Sequence, residues 1–253
     1  AWNTRTPDVP AQPLHCEDRP ILGQVFFTAS RQPYAVEIGD QGTLALIEQK
    51  SAESIVLASL RAQFAPQEVR PISASADHGK LLYRVSSDRN SGELYLYDFA
   101  KKKAAYLDAF QAWLDPEQMA EQKRFTYKAR DGLLINALLT LPPGKVAKNL
   151  PLVVHPHGGP IGIHDHWGFD SDAQFLASRG YAVLQVNFRG SGGRGEAFEK
   201  AGYREWGGKM IDDITDGVKQ VIADSTVDAH RICIFGGSYG GYASLMSLSL
   251  IHI

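Results

Sequence analysis

Residues 232–242 read ICIFGGSYGGY, and this stretch decides the fold class. It holds the pattern Gly-x-Ser-x-Gly directly after a short apolar run, residues 231–235, which predicts a buried strand. Residues 242–248 predict a helix. A strand that turns sharply into a helix requires glycine on each side of the turning residue, because a side chain at Gly236 or Gly240 would crowd the turn. This context predicts a nucleophile elbow.

Ser238 is the predicted nucleophile, since an elbow holds the serine hydroxyl above the edge of a sheet. The next backbone N–H, that of Tyr239, is expected to point towards a developing oxyanion at the start of the helix. The alternative is a glycine-rich turn with a passive serine, which the strand–turn–helix context disfavours.

A second glycine-rich loop, HPHGGP at residues 155–160, follows the apolar run 152–154. Such loops supply the other donor of an oxyanion hole, because glycine lets a backbone N–H approach the reacting oxygen. We expect the N–H of Gly159 to serve, with Gly158 as the alternative, and His157 to shape the loop by hydrogen bonding. A metal site is a further interpretation of the local histidines, and no acidic or cysteine pattern supports it: His155, His157, His164 and His166.

A third loop, NFRGSGGRG at residues 187–195, follows the apolar stretch 181–186. Its glycines resemble a phosphate-binding loop, but their spacing matches neither the Walker pattern nor Gly-x-Gly-x-x-Gly opening a helix. We expect the loop to line the rim of the site. Arg189 is expected to be a buried structural cation rather than a substrate ligand.

From about residue 151 onward, predicted strands alternate with predicted helices, which is typical of a mainly parallel sheet in an α/β protein. Three short β-branched runs predict buried parallel strands: residues 152–155, 181–187 and 231–235. The other predicted elements are two helices and a hairpin: residues 172–178, residues 209–223, and strands at 124–129 and 133–141.

Residues up to about 110 are predicted to form short strands separated by polar turns. In the clearest pair, residues 80–86 and 93–98, the second strand alternates leucine with tyrosine at the period of two that sheet faces require. The other predicted strands are residues 24–29, 34–38 and 43–49. Short antiparallel strands suit a β-propeller blade or part of a sandwich, and an incomplete propeller of about two blades is the favoured interpretation.

Composition argues against several classes of function. The 253 residues are 44% hydrophobic and 21% charged, as in an ordinary globular protein. The 26 basic and 28 acidic residues give a net charge of −2, so nucleic acid is a poor candidate partner. No apolar run approaches the ~20 residues that cross a bilayer. Cys16 and Cys233 indicate neither a disulfide scaffold nor a metal cluster.

Both ends of the chain are unusual. The chain begins at Ala1 without an initiator Met or a signal peptide, so localisation stays open between cytoplasmic and exported. Residues 248–253, LSLIHI, match the translation of CTG TCT CTT ATA CAC ATC, the end of a transposase adapter used in sequencing libraries. We hypothesise that the native sequence stops near Ser247 and that the rest is adapter read-through. A natural apolar helix end is the alternative.

Together the motifs resemble the peptidase S9, or prolyl oligopeptidase, family, which includes dipeptidyl and acylaminoacyl peptidases. The resemblance extends from about residue 125 to 247 and is closest to the acylaminoacyl peptidase-like branch. Its elbow, SYGGY, is a distinctive form in that family. The residues that carry the resemblance are HGGP at 157–160, NFRGS at 187–191, WGG at 206–208 with Asp212 and Asp213, and GGSYGGY at 236–242.

The resemblance implies the end of a β-propeller over residues 1–115 and a truncated α/β-hydrolase domain over residues 116–247, before the read-through at 248–253. It also implies a serine-type peptidase that hydrolyses short peptides through an acyl-enzyme on Ser238, with the propeller restricting entry. No cofactor or metal is implied, and the substrate-binding residues stay unassigned.

The base and acid that a catalytic serine needs are not found in the expected places. In α/β-hydrolases they follow the serine in the order Asp, His, and only fifteen residues follow Ser238. His252 is rejected because it lies about four helical turns away. The upstream acids are expected to cap helices or form surface and loop pairs: Asp212, Asp213 and Asp216.

The 253 residues alone are therefore expected to be inactive, because the chain is expected to be truncated before the catalytic Asp and His. Two alternatives stay open. One is a carboxylesterase or lipase of the α/β-hydrolase fold, and the other is a non-catalytic binding protein of that fold.

Overall fold

The structure is a computed structural model, and it describes residues 21–38 and 43–251. In its N-terminal part, seven strands and one helix follow in chain order: β1 (Ile21–Phe27), β2 (Pro33–Ile38), β3 (Thr43–Leu46), α1 (Ala52–Phe64), β4 (Glu68–Ala74), β5 (Lys80–Ser86), β6 (Glu93–Asp98) and β7 (Lys103–Ala109). The strands form two antiparallel sheets, of order β1-β2-β3 and β4-β5-β6-β7.

The predicted hairpin of residues 80–86 and 93–98 is confirmed as β5 and β6, which pair with Leu82 opposite Leu96 and Tyr83 opposite Tyr95. The alternation in β6 is also confirmed, because Tyr95 and Tyr97 pack against the N-terminal hydrophobic cluster. Strands β4 and β7 were not predicted.

The prediction of strands throughout residues 1–110 is wrong at α1. The side chain of Ser51 caps this helix by accepting a hydrogen bond from the N–H of Ser54. Behind the cap, Val56, Leu57 and Leu60 are buried at the i, i+1, i+4 spacing of one helix face. Tertiary burial of this face therefore stabilises a helix within the region that was predicted to form only strands.

The C-terminal part contains five strands and four helices: β8 (Glu121–Lys128), β9 (Leu134–Leu141), β10 (Leu150–Val154), α2 (Ser171–Ser178), β11 (Ala182–Asn187), α3 (Glu196–Lys200), α4 (Lys209–Ala223), β12 (Val227–Ile234) and α5 (Tyr239–Ile251). A short 3-10 helix, Pro116–Gln118, precedes β8. The α/β class, the β8–β9 hairpin and the three predicted helices, which are α2, α4 and α5, are confirmed, whereas α3 was not predicted.

The five strands form one mixed sheet of order β12-β10-β11-β9-β8. Strand β10 runs parallel to both of its neighbours, β11 and β12, while β9 runs antiparallel to the central strand β11. All six residues of β11 are buried, as expected for a strand covered on both faces. The predicted burial of the strand before the elbow is wrong, because β12 lies at the edge of the sheet and only Val227 among its eight residues is buried. Because parallel strands end at the same sheet edge, the loops after β10, β11 and β12 meet there.

Two separate hydrophobic clusters lie within the described residues. The N-terminal cluster contains the fully buried Leu57 and Tyr83, and the C-terminal one contains Leu152, Leu184 and Ile214. Each cluster lies beneath its own sheets, as expected of two units with separate cores.

Helix α5 continues through Leu248 to Ile251, so four of the six residues assigned to the adapter extend this helix. His252 and Ile253 lie outside the described residues, as do Cys16 and the rest of residues 1–20. None of the helices in the described ranges combines the length and apolar character needed to cross a membrane.

Candidate active site

Ser238 lies at a sharp turn between β12 and α5, and its backbone adopts a φ of 53°. This left-handed conformation is strained for a residue with a side chain. A Cβ at Gly240 would lie 2.2 Å from the carbonyl oxygen of Pro156, and one at Gly236 would lie 2.9 Å from the same atom. The predicted need for glycine on both sides of the serine is confirmed, because the turn packs directly against the end of β10.

The HPHGGP loop lies against this turn. The N–H of Phe235 donates to the carbonyl of Val154 at 2.9 Å, and His155 Nδ1 donates to the carbonyl of Phe235 at 2.9 Å. A Cβ at Gly158 would lie 3.6 Å from the Cβ of Ser238. The structure therefore brings the two predicted glycine-rich motifs together, although 80 residues separate them in sequence.

The predicted oxyanion donors lie on opposite sides of this junction, Gly159 in the loop and Tyr239 at the first residue of α5. Gly159 adopts a φ of 116°, which favours glycine. Neither of these two N–H groups donates a hydrogen bond to another residue that the structure describes. The Ser238 side chain is exposed and likewise makes no hydrogen bond within the described ranges.

The Tyr239 side chain is buried below the turn. Its hydroxyl donates to the carbonyl of Trp206 at 2.7 Å, and the two rings meet edge to face with centroids 5.9 Å apart. The ring of Phe188 contacts it from the β11 loop at 5.3 Å. Aromatic packing of this kind fixes the start of α5. The sequence singled out Trp206 only as part of a family motif, and nothing in it indicated this contact.

His157 connects the HPHGGP loop to the loop after β11. Its ring stacks on Phe188 with centroids 4.3 Å apart and planes 17° from parallel. Its Nδ1 lies 2.7 Å from the carbonyl of Gly158, and its Nε2 lies 2.8 Å from the hydroxyl of Ser191. The predicted loop-shaping role agrees with these bonds, but no sequence pattern indicated Ser191 as the partner.

Arg189 is a buried structural cation, as expected from the sequence. Its side chain binds both oxygens of Asp213, at 2.8 and 2.7 Å, and both oxygens of Asp131, at 2.7 and 3.1 Å. Hydrogen bonds to the two carboxylates raise the pKa of Arg189 further, so it stays charged. This pair of bidentate contacts ties the β11 loop to α4 and to the β8–β9 turn.

Of the pairs expected for the acids of α4, Asp213 forms one with a loop residue, Arg189, but this pair lies inside the protein and not at its surface. Asp213 is fully buried, and burial raises the pKa of its carboxyl while Arg189 opposes the shift. The other two acids of α4 form the expected pair near the surface, because Asp212 and Asp216 bind Arg130 at 2.6 and 2.8 Å. The hydrogen bond from Arg189 lowers the pKa of Asp131 to about 2.

A cavity of about 480 Å³ lies between the N-terminal sheets and the loop after β10, lined among others by Glu68, Arg70, Arg84, Asp165 and Trp167. Burial raises the pKa of Asp165 to about 7. Ser238 is not among the lining residues, so this cavity is separate from the elbow.

The histidines near the elbow contact protein groups. His155 Nδ1 binds a backbone carbonyl, both nitrogens of His157 are engaged, and the rings of His164 and His166 contact each other at 4.1 Å. Within residues 21–38 and 43–251, no group of three or more potential metal ligands is assembled. His252, rejected as a base from the sequence, lies outside the described residues.

Sequence comparison identifies relatives. Residues 167–250 match the prolyl oligopeptidase family. The chain is 35% identical over 199 residues to dipeptidyl peptidase family member 6 of Caenorhabditis elegans, which covers 70% of this chain and 27% of that protein. It is 39% identical over 162 residues to dipeptidyl aminopeptidase BIII of Pseudoxanthomonas mexicana, covering 61% of this chain and 23% of that protein. The chain spans about a quarter of the length of these relatives.

Among solved structures, an acylaminoacyl peptidase of Pyrococcus horikoshii matches with a TM-score of 0.59 and 28% identity, covering 73% of this chain and 30% of that one. The sequence matches and the structural match agree with the three motifs that meet at the carboxyl edge of the sheet. This chain therefore belongs to the prolyl oligopeptidase family.

Proposed function

We propose that this chain carries the nucleophile of a serine peptidase that hydrolyses short peptides through an acyl-enzyme on Ser238. One observation carries the proposal: the exposed Ser238 lies at a strained turn against the glycine loop, where a Cβ added to Gly158 would lie 3.6 Å from the Cβ of Ser238. A strained turn of this type presents the serine hydroxyl to a substrate, and adjacent glycines leave room for the substrate carbonyl.

In the proposed reaction, Ser238 Oγ attacks the peptide carbonyl carbon while a general base takes its proton. The N–H groups of Tyr239 and Gly159 stabilise the resulting oxyanion. The C–N bond breaks as the base returns the proton to the leaving amine, and water then hydrolyses the ester on Ser238. Loss of one such donor typically lowers kcat about 100- to 1,000-fold.

The base and its orienting acid are proposed to lie beyond these 253 residues. Within the described ranges, both nitrogens of His157 are engaged, and burial lowers the pKa of His157 to about 4, too low for a base near pH 7. The matched segments make up only 27% and 23% of these relatives, which leaves ample sequence there to supply both groups. Here, "complete enzyme" means a protein that contains this chain together with them.

The N-terminal sheets are proposed to be part of a β-propeller that restricts entry to short peptides, with the boundary to the α/β-hydrolase part near residue 115. The four-stranded antiparallel sheet β4-β5-β6-β7 has the strand number of one propeller blade. Limited proteolysis should cut first near the exposed 3-10 helix Pro116–Gln118, and cleavage confined to other segments would contradict the boundary.

The test of the peptidase proposal is Ser238→Ala in the complete enzyme, with Ser244→Ala as a matched control on helix α5, which follows Ser238. Turnover of an aminoacyl amide should fall by about a million-fold to background in Ser238→Ala, as when a triad serine is removed. Ser244→Ala should retain turnover, because the Ser244 hydroxyl only binds the carbonyl of Gly240 within α5. Equal activity in wild type and Ser238→Ala would refute the assignment.

Two further measurements address the alternatives. An esterase would hydrolyse a simple acyl ester and leave the matched amide intact, whereas the proposed peptidase cleaves both. The 253-residue chain alone should not react with a fluorophosphonate probe, since its serine lacks a base. Labelling of the chain that disappears in Ser238→Ala would contradict the proposal that the base lies elsewhere.

A further inference from the structure

The orientation of His157 determines more than the position of its own ring. Gly158 C=O and Gly159 N–H belong to the same planar trans peptide group, so they point in opposite directions along one rigid unit. The hydrogen bond between His157 Nδ1 and the Gly158 carbonyl, 2.7 Å long, therefore also sets the direction of the Gly159 N–H.

The directions of the two hydrogen bonds of His157 follow from its partners. A carbonyl only accepts, so the ring hydrogen lies on Nδ1 and is donated to Gly158. The lone pair of Nε2 then accepts the hydroxyl hydrogen of Ser191 at 2.8 Å. Burial favours the neutral ring that this arrangement requires, because it lowers the pKa of His157 to about 4.

Ser191 has a firm support of its own. It is fully buried, and its N–H donates to the carbonyl of Phe188 at 2.9 Å. Two residues before it, Arg189 is held by the buried Asp213 of α4, at 2.7 Å. The Ser191 hydroxyl therefore reaches His157 from a loop that is anchored to both the sheet and helix α4.

We propose that Ser191 is a positioning residue: its hydroxyl orients His157, and the ring in turn aims the Gly159 N–H at the oxyanion. Ser191 does not touch the substrate in this arrangement. The inference rests on the proposed function, because the Gly159 N–H matters only if an oxyanion forms next to Ser238.

The experiment compares wild type with Ser191→Ala in the complete enzyme. Without the hydroxyl, the ring and the peptide group it holds turn away from the required direction, and displacements near 1 Å can cost about 100-fold in rate. We expect kcat to fall about 10- to 100-fold while KM changes less than about threefold. A peptide aldehyde, whose bound form carries an oxyanion, should lose a similar factor in affinity, whereas a product peptide should not.

The matched control is Ser54→Ala, which removes another buried serine hydroxyl, in helix α1, and should leave kcat within about twofold of wild type. If Ser191→Ala fails to fold, Ser191→Cys keeps the volume with a weaker donor and should show the same separation of kcat from KM. A folded Ser191 variant with unchanged kcat and aldehyde affinity would overturn the inference and leave the proposed function intact. A wild type without Ser238-dependent turnover would overturn both.

Discussion

The two parts of the molecule are held together by different forces. The N-terminal sheets pack on an apolar cluster around Leu57 and Tyr83, and the ion pair of Arg70 with Glu68 is only partly buried. The part that carries Ser238 instead buries charge and hydrogen bonds beside its apolar core, with Asp213 fully buried beneath Arg189.

The difference reflects the precision that each part needs. Apolar burial is non-directional, so it stabilises a sheet without fixing the orientation of single groups. Hydrogen bonds depend on angle and distance, so the network of Arg189, Asp213, His157 and Ser191 holds the loops after β10 and β11 and helix α4 in one arrangement. We therefore expect mutations in the C-terminal network to affect the site, and mutations in the N-terminal core to affect stability alone.

Among the residues that support Ser238, the largest expected effect on turnover is at Gly240. In Gly240→Ala, a Cβ 2.2 Å from the carbonyl oxygen of Pro156 would push α5 away from the loop that follows β10. Turnover by the complete enzyme should fall at least about 100-fold, and stability by about 3 kcal/mol. Gly237→Ala is the stability control, since a Cβ there meets no atom within 4 Å. Similar melting temperatures for the two variants would show that the turn tolerates displacement.

Asp213 provides the sharpest test of the buried network. Asp213→Ala leaves the guanidinium of Arg189 buried with one of its two carboxylates missing, which should cost about 3 to 5 kcal/mol in urea unfolding. The neighbouring Asp212→Ala breaks an exposed pair with Arg130, and should cost about 1 kcal/mol or less. Equal losses in the two variants would contradict the structural role assigned to the buried pair.

In the N-terminal part, Leu57→Ala should lower stability by about 3 kcal/mol through lost burial and a cavity. Ile55→Ala is the control, because that side chain is 57% exposed on the same helix. Both variants should retain the kcat of wild type when assayed below their melting temperatures. If kcat fell as much in Leu57→Ala as in Asp213→Ala, the claim that the N-terminal core affects stability alone would be wrong.

The smallest expected effect is the pH dependence of folding stability that His157 contributes. Burial lowers the pKa of His157 from 6.5 to about 4. Between these two pH values the unfolded chain therefore binds a proton at His157 and the folded chain does not. The folded state therefore loses stability as the pH falls, by about 2 kcal/mol between pH 8 and pH 5 from this residue alone.

The measurement is urea unfolding at both pH values for wild type and His157→Gln, since other titrating groups contribute equally to both. The stability of the variant should fall about 2 kcal/mol less than that of wild type. His230→Gln, at an exposed position, should follow wild type. Parallel curves for wild type and His157→Gln would mean that the histidine is charged or solvated in the folded state.

The sequence predicted the C-terminal part well and the N-terminal part less well. Runs such as residues 181–187 and 209–223 carry their own periodicity and end signals, so β11 and α4 appear where expected. The helix α1 was missed because its burial depends on the sheets that cover Val56 and Leu57. Where local preference is weak, tertiary packing decides between helix and strand.

By itself, the sequence determined the elbow around Ser238, because the Gly-x-Ser-x-Gly pattern lies within five neighbouring residues between a predicted strand and a predicted helix. That a Cβ at Gly240 would meet the carbonyl of Pro156 follows only from the tertiary packing. Only the tertiary structure decided which groups support the elbow. Ser191 meets His157 across 34 residues, and Asp131 meets Arg189 across 58. Those meetings depend on the order β12-β10-β11-β9-β8, which brings the loops to one sheet edge, and no local pattern encodes that order.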